Sequence, residues 1–197
     1  MPSRLFVAIA CVSIAGLLVS CSRDEDLAEA EYTVRSAGAS ARVWVPINEP
    51  RSIGTYRAEL EWPDGGRDRV TGKRDGMITD VWLSDIEPDG TPELVVAMSS
   101  AGSGTYGSVH VCGRGHGELA RVGLRALDDS QRSGYLGHDT FSLENGRLVR
   151  SFPRYEEGDS NATPSGQTLR LWYSFADSAW VEAEGDGSGG RAPDSAE

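Results

Sequence analysis

Cysteine and lysine are both scarce in this 197-residue chain: there are three cysteines, and Lys73 is the only lysine. Cys11 lies inside an N-terminal apolar run and Cys21 closes it, so the remainder of the chain holds only Cys112. A disulfide framework and thiolate zinc ligation are therefore excluded by count, and the fold must rest on its core. Cys112, in an alternating apolar segment, reads as a small buried hydrophobe rather than a nucleophile. The three histidines, His110, His116 and His138, do not fall at a His-x-x-x-His metal spacing. Positive charge is also in deficit, with 19 Lys and Arg against 30 Asp and Glu and a formal charge of -11. Nucleic acid and anionic membrane surfaces need a basic patch, so neither is an expected partner. A cationic partner is the one such a field would steer. No segment carries a sustained helical period with caps, and no fixed-length repeat is present.

What is present begins with an export signal. Arg4 precedes the apolar run Leu5 to Val19, which is short for a membrane span. Leu18-Val19-Ser20-Cys21 resembles the lipobox of bacterial lipoproteins, which implies acylation of Cys21 after removal of residues 1–20. Ser22, where Asp would favour inner-membrane retention in enterobacterial lipoproteins, implies the outer membrane. Loss of Arg4, one positive charge, takes the formal charge from -11 to -12. Residues 21–41 are polar and short of large apolar side chains and read as a flexible tether. Residues 183–197 read as a disordered acidic Gly/Ser tail. Residues 42–182 are left for one domain, enough for an ordinary core.

That domain reads as β throughout. Tyr56, Ala58, Leu60 and Trp62 alternate with polar residues, a period of two that buries one face. Met77 to Leu83 is a second strand, and Leu94 to Met98, apolar at every position, reads as a central strand covered on both faces. Leu119 to Val122 reads as a short strand. Phe141-Ser142-Leu143 and Arg147 to Arg150 flank Asn145-Gly146, whose preference for positive φ marks a tight hairpin. Leu169 to Phe175 pairs with Trp180-Val181 across a short turn. Frequent turn signals predict an antiparallel β-sandwich, with a small β-barrel as the alternative.

Three stretches carry candidate chemistry. Ser99 to Ser108, Ser-Ser-Ala-Gly-Ser-Gly-Thr-Tyr-Gly-Ser, joins two strands and presents one tyrosine among small residues and hydroxyls. Such a loop is suited to entering another protein's cleft, or is simply a surface hairpin. Asp85, Glu87, Asp89 and Glu93 bracket Gly90 with a spacing similar to calcium loops, although an EF-hand would need Glu where Val96 stands. The five tryptophans Trp44, Trp62, Trp82, Trp172 and Trp180 would serve a glycan-binding face or, by default, the core. Catalytic readings find little support. Ser103 fails the Gly-x-Ser-x-Gly elbow, no carboxylate pair is marked, and His138-Asp139 are adjacent residues that a strand would point to opposite faces. The sequon Asn161-Ala162-Thr163 is a pattern only.

Trp82-Leu83-Ser84-Asp85, Pro92 to Val96, and Ser100 to His110 together resemble the periplasmic inhibitors of invertebrate-type lysozyme. Ser103-Gly104-Thr105-Tyr106 matches that family's Ser-Gly-x-Tyr loop, and the likeness extends less sharply through Gly137-His138-Asp139 to Phe152. The resemblance implies a β-sandwich, often a homodimer, that is not an enzyme and needs no cofactor. It also implies that Ser103, Gly104, Thr105 and Tyr106 contact lysozyme, the two hydroxyls of Ser103 and Tyr106 reaching its catalytic carboxylates. The expected role is a lipid-anchored guard of peptidoglycan. The alternative is an envelope lipoprotein that binds calcium through Asp85, Glu87, Asp89 and Glu93, or glycan through an aromatic face.

Overall fold

The computed structural model of the protein describes residues 28–114, 124–176 and 179–183. Three antiparallel sheets hold nearly all of its regular secondary structure. The first runs in chain order through β1 (Ala28–Ser36), β2 (Ala39–Pro46), β3 (Gly54–Glu61) and β4 (Arg67–Arg74). The second contains β5 (Gly76–Ser84), β6 (Glu93–Ser100) and β7 (Gly107–Cys112), with β6 in the middle. A single helical turn, α1 (Asp129–Arg132), precedes the third sheet, whose order is β11-β10-β9-β8. Its strands are β8 (Thr140–Glu144), β9 (Arg147–Pro153), β10 (Thr168–Ala176) and β11 (Ala179–Ala183).

The second sheet is the middle layer. Leu94, Val96 and Met98 of β6 pack into one core with Val43, Tyr56 and Leu60 of the first sheet. Val95 and Ala97 point the other way, into a second core with Leu148, Phe152 and Tyr173 of the third. All five β6 residues are 1% exposed or less, so each of the larger side chains contributes about 1.5–3 kcal/mol on burial. On β5 a bulge between Ile78 and Asp80 shifts the register, so that Ile78, Val81 and Leu83 all reach the first core despite their uneven spacing. The β-sandwich expectation holds, with three layers instead of two, and no closed barrel forms among the described residues.

Phe141–Leu143 and Arg147–Arg150 pair around Asn145 (φ 51°) and Gly146 (φ 74°), as the Asn-Gly turn requires. β10 and β11 pair with Phe175 opposite Trp180. The tether reading of residues 21–41 is corrected over its second half: Ala28–Ser36 is β1, paired with β2 from Ala28↔Pro46 to Ser36↔Ala39. Ala30, Tyr32 and Val34 pack on the first core while Glu29, Glu31, Thr33 and Arg35 alternate with them. Two alanines in the inward positions hide this period-two pattern from composition. The helix α1 was also not expected. Its capping box, in which Asp128 accepts from Gln131 N–H at 2.8 Å and Gln131 reaches back to the Asp128 N–H at 3.1 Å, holds a four-residue turn too short to show a period. The export signal, Cys21, the Leu119 to Val122 strand, His116 and residues 184–197 lie outside the described residues.

Candidate functional site

The residues Ala101 to Tyr106 link β6 to β7. The link is closed by Ser100 N–H donating to Tyr106 C=O and by Tyr106 N–H donating to Ser100 Oγ, each at 2.9 Å. Ser103 is exposed at the tip and Tyr106 is 52% exposed. Gly104 and Thr105 between them are partly covered. Thr105 has φ 36°, a left-handed conformation that β-branched residues rarely adopt. A β-carbon on Gly104 would lie 2.7 Å from the Tyr106 ring, so the glycine makes room for the tyrosine beside it.

The segment before β8 underlies this loop. His138 N–H donates to the Gly104 carbonyl at 2.7 Å, Gly107 N–H donates to Asp139 Oδ2 at 2.7 Å, and Asn161 Nδ2 donates to the Ser103 carbonyl. The Tyr106 ring meets Tyr135 edge-on with centroids 5.8 Å apart. Asp139 is buried and takes Arg150 through both oxygens, at 2.7 and 3.2 Å. Burial of Arg150 works against its charge, but the Asp139 carboxylate outweighs it and holds the guanidinium above its usual range. Burial, then the hydrogen bond to Asp139, pushes the Tyr135 hydroxyl up.

The structure thus brings Ser103, Gly104, Thr105 and Tyr106 together on one fixed turn and adds six supports outside it. These are Tyr135, His138, Asp139, Arg150, Asn161, and Gly137, where a β-carbon would run into the Gly104 carbonyl. One signal for them was legible: Arg150 is a charge inside the apolar run Leu148 to Phe152, and a buried charge needs a partner. His138 and Asp139 do separate, as adjacent residues should. Thr105 Oγ1 is 3.4 Å from His138 Nδ1, and the ring's Nε2 is buried without a hydrogen-bond partner, so no carboxylate orients it as a general base.

The acidic loop is only partly the cluster expected. Glu87, Asp89 and Glu93 bring carboxylate oxygens within 4.8 Å of one another. Asp85 instead accepts the N–H groups of Asp89 (3.1 Å) and Gly90 (2.9 Å) and shapes the turn. Glu93 is buried and accepts Ile86 N–H at 2.9 Å. Burial raises its pKa, the Ile86 N–H opposes the rise, and the charge of Asp89 adds to it. Among the tryptophans, Trp62 and Trp180 belong to the two cores, Trp44 lies buried under Arg42, and Trp82 and Trp172 are half-covered. Arg170 stacks over Trp172, and Trp82 packs against the second core. Cys112 is buried, which pushes its thiol up to about 11 and keeps it unreactive.

Fold and site together define a layered β protein that presents a braced, hydroxyl-bearing loop. Residues 36–129 match the family described as periplasmic lysozyme inhibitor of I-type lysozyme. A crystal structure of PliI from Aeromonas hydrophila is 31% identical over 41% of this chain and 74% of its own, with a TM-score of 0.37. Aeromonas hydrophila PliI solved in complex with Meretrix lusoria lysozyme is 32% identical over 47% of this chain and 84% of its own, with a TM-score of 0.38. No curated protein sequence matches the chain. On the family match and these identities, the chain belongs to the family of periplasmic inhibitors of I-type lysozyme, which are inhibitor proteins and not enzymes.

Proposed function

We propose that this protein inhibits an I-type lysozyme in the periplasm by inserting the Ser103-Gly104-Thr105-Tyr106 loop into the enzyme's substrate cleft. The observation that carries this reading is the pairing of an exposed Ser103 and Tyr106 with a backbone fixed on both sides of the tip. A loop held in one shape before docking loses little entropy when it docks. Two neutral hydroxyls suit the target, because a lysozyme's general acid must be protonated to work and a hydroxyl bonds it without adding charge. The acidic chain favours encounter with a cationic enzyme, an effect that weakens with salt.

A lipid on Cys21 would hold the protein at the outer membrane, facing the peptidoglycan it protects. Labelling of whole cells with a fatty-acid probe, lost in Cys21→Ser, tests the anchor. The inhibition itself is tested by titrating invertebrate, chicken and goose-type lysozymes, and a wall-cutting enzyme of the bacterium itself, with the purified protein. Inhibition of the invertebrate enzyme that falls in Ser103→Ala and Tyr106→Ala supports the reading. Absence of inhibition in every case, or inhibition indifferent to both substitutions, refutes it.

A second reading, calcium held by Glu87, Asp89 and Glu93, is favoured by the convergence of their oxygens. It is weakened by Asp85, whose carboxylate caps the turn, and by Glu93, which already bonds Ile86 N–H.

A further inference from the structure

The β6–β7 loop leaves the middle sheet, yet its root is held by the segment leading into the third. One oxygen ties that root to its platform. Asp139 Oδ2 accepts Gly107 N–H at 2.7 Å, Tyr135 Oη–H at 2.7 Å and Arg150 Nη2 at 3.2 Å, while Oδ1 accepts Arg150 Nε at 2.7 Å. Arg150 Nη2 also donates to Tyr135 Oη at 2.7 Å. The Asp139 side chain is fully buried. Gly107 follows Tyr106 directly, and Tyr135 is the ring against which Tyr106 rests. A β-carbon on Gly107 would meet the Phe141 ring at 2.3 Å and Asp139 Cβ at 2.8 Å, so no side chain fits between the loop root and its support.

We propose that Asp139, oriented by Arg150 and Tyr135, is the positioning residue of the inhibitory loop. Its carboxylate fixes the backbone on which Tyr106 is mounted and the ring on which Tyr106 leans. A buried ion pair serving only the core would not give one oxygen to the loop root and to its platform together. The family match ends at residue 129, and the positioning group lies in the stretch beyond it, where the likeness to the family is less sharp. The aim of the loop, and with it the choice among lysozymes, is set from residues 135–150. This inference rests on the reading of the loop as the inhibitory element.

The test is a double-mutant cycle on the purified full-length protein, scored by lysozyme inhibition and by the NMR signal of the Gly107 amide. Asp139→Asn weakens inhibition by about tenfold to a hundredfold, as expected for the loss of a charge-assisted hydrogen bond. In a Tyr106→Ala background the same change adds less than about twofold, because the residue it aims is already gone. The Gly107 amide resonance moves upfield and exchanges faster in Asp139→Asn. Should Asp139→Asn fail to fold, Tyr135→Phe, which keeps the ring and removes one of the three bonds, carries the same cycle with a several-fold effect. Effects that multiply in the double mutant, or an unchanged Gly107 amide, overturn the proposal. A wild-type protein that inhibits no lysozyme refutes the functional reading alone. The amide readout then still decides whether Asp139 positions the loop.

Discussion

Gly137 lies so close to Gly104 that a β-carbon on it would sit 1.6 Å from the Gly104 carbonyl oxygen. That same oxygen accepts His138 N–H at 2.7 Å, so the two backbones are in direct contact where the β6–β7 loop crosses the segment before β8. Gly137 also has φ 93°, outside the range of ordinary side chains. Gly137→Ala must therefore move backbone, and we expect a loss of at least about 2 kcal/mol in urea unfolding. Inhibition measured well below the unfolding midpoint should fall as well, because the displaced atom belongs to the loop. A variant with wild-type stability and inhibition would show that the contact is not obligatory.

Ser103 and Tyr106 should behave in the opposite way. Both are exposed, so Ser103→Ala should change stability by no more than about 0.5 kcal/mol. Tyr106→Ala should cost about 1 kcal/mol, through its edge contact with Tyr135. Each should nevertheless weaken lysozyme binding by about 1–3 kcal/mol if the lost hydroxyl leaves a buried carboxyl unpaired. Calorimetric titration against the invertebrate enzyme, beside thermal unfolding, reads both quantities. Parallel losses of stability and affinity would point to a scaffold role instead.

Gly104→Ala separates shape from chemistry. The added methyl would lie 2.7 Å from the Tyr106 ring and 3.2 Å from the Leu136 carbonyl. The exposed ring can swing aside at little cost, so stability should fall by no more than about 1 kcal/mol. Its hydroxyl is then misplaced. Inhibition should drop about tenfold although every hydroxyl is retained, since a displacement of about 1 Å is enough to lose an aligned hydrogen bond. Equal inhibition by Gly104→Ala and wild type would mean that the Tyr106 orientation does not matter.

The contrast between loop and brace shows what a linear reading can reach. Strand β6 was legible because five consecutive apolar residues need two covered faces, and the Asn145-Gly146 turn because positive φ has a residue signature. The β6–β7 loop was legible as a strand connection because Gly102, Gly104 and Gly107 crowd it and Tyr106 is its one large side chain. Strand β1 was hidden by alanines in its inward positions, where composition looks like a tether. Asp139 was hidden for a different reason. Arg150, 11 residues away, comes to it through the β8–β9 pairing, but Gly107, 32 residues away, is reached only where the third sheet stacks on the middle one. The same holds for Asn161, which reaches the Ser103 carbonyl across 58 residues.

Glu93 provides a pH-dependent prediction that also tests the calcium reading. Its pKa is raised in the folded protein, chiefly by burial and further by Asp89 and Glu87, against the opposing Ile86 N–H. A raised carboxyl favours the folded state fully only below its unfolded value, about 4.3, and that contribution is lost as pH rises through the folded value. At neutral pH the ionised group is therefore a liability. Glu93→Gln keeps an oxygen for Ile86 N–H and removes the charge, so the urea midpoint should rise near neutral pH. The advantage over wild type should shrink as the pH falls through the raised folded value and vanish below the unfolded one, about 4.3, where Glu93 is protonated in both states. A bound cation would reverse the ranking. With millimolar calcium, a site built on Glu87, Asp89 and Glu93 would raise the wild-type midpoint and leave Glu93→Gln behind. A flat calcium titration with the variant still the more stable would identify the three carboxylates as a crowded turn, in which Glu93 serves to tie down the Ile86 backbone.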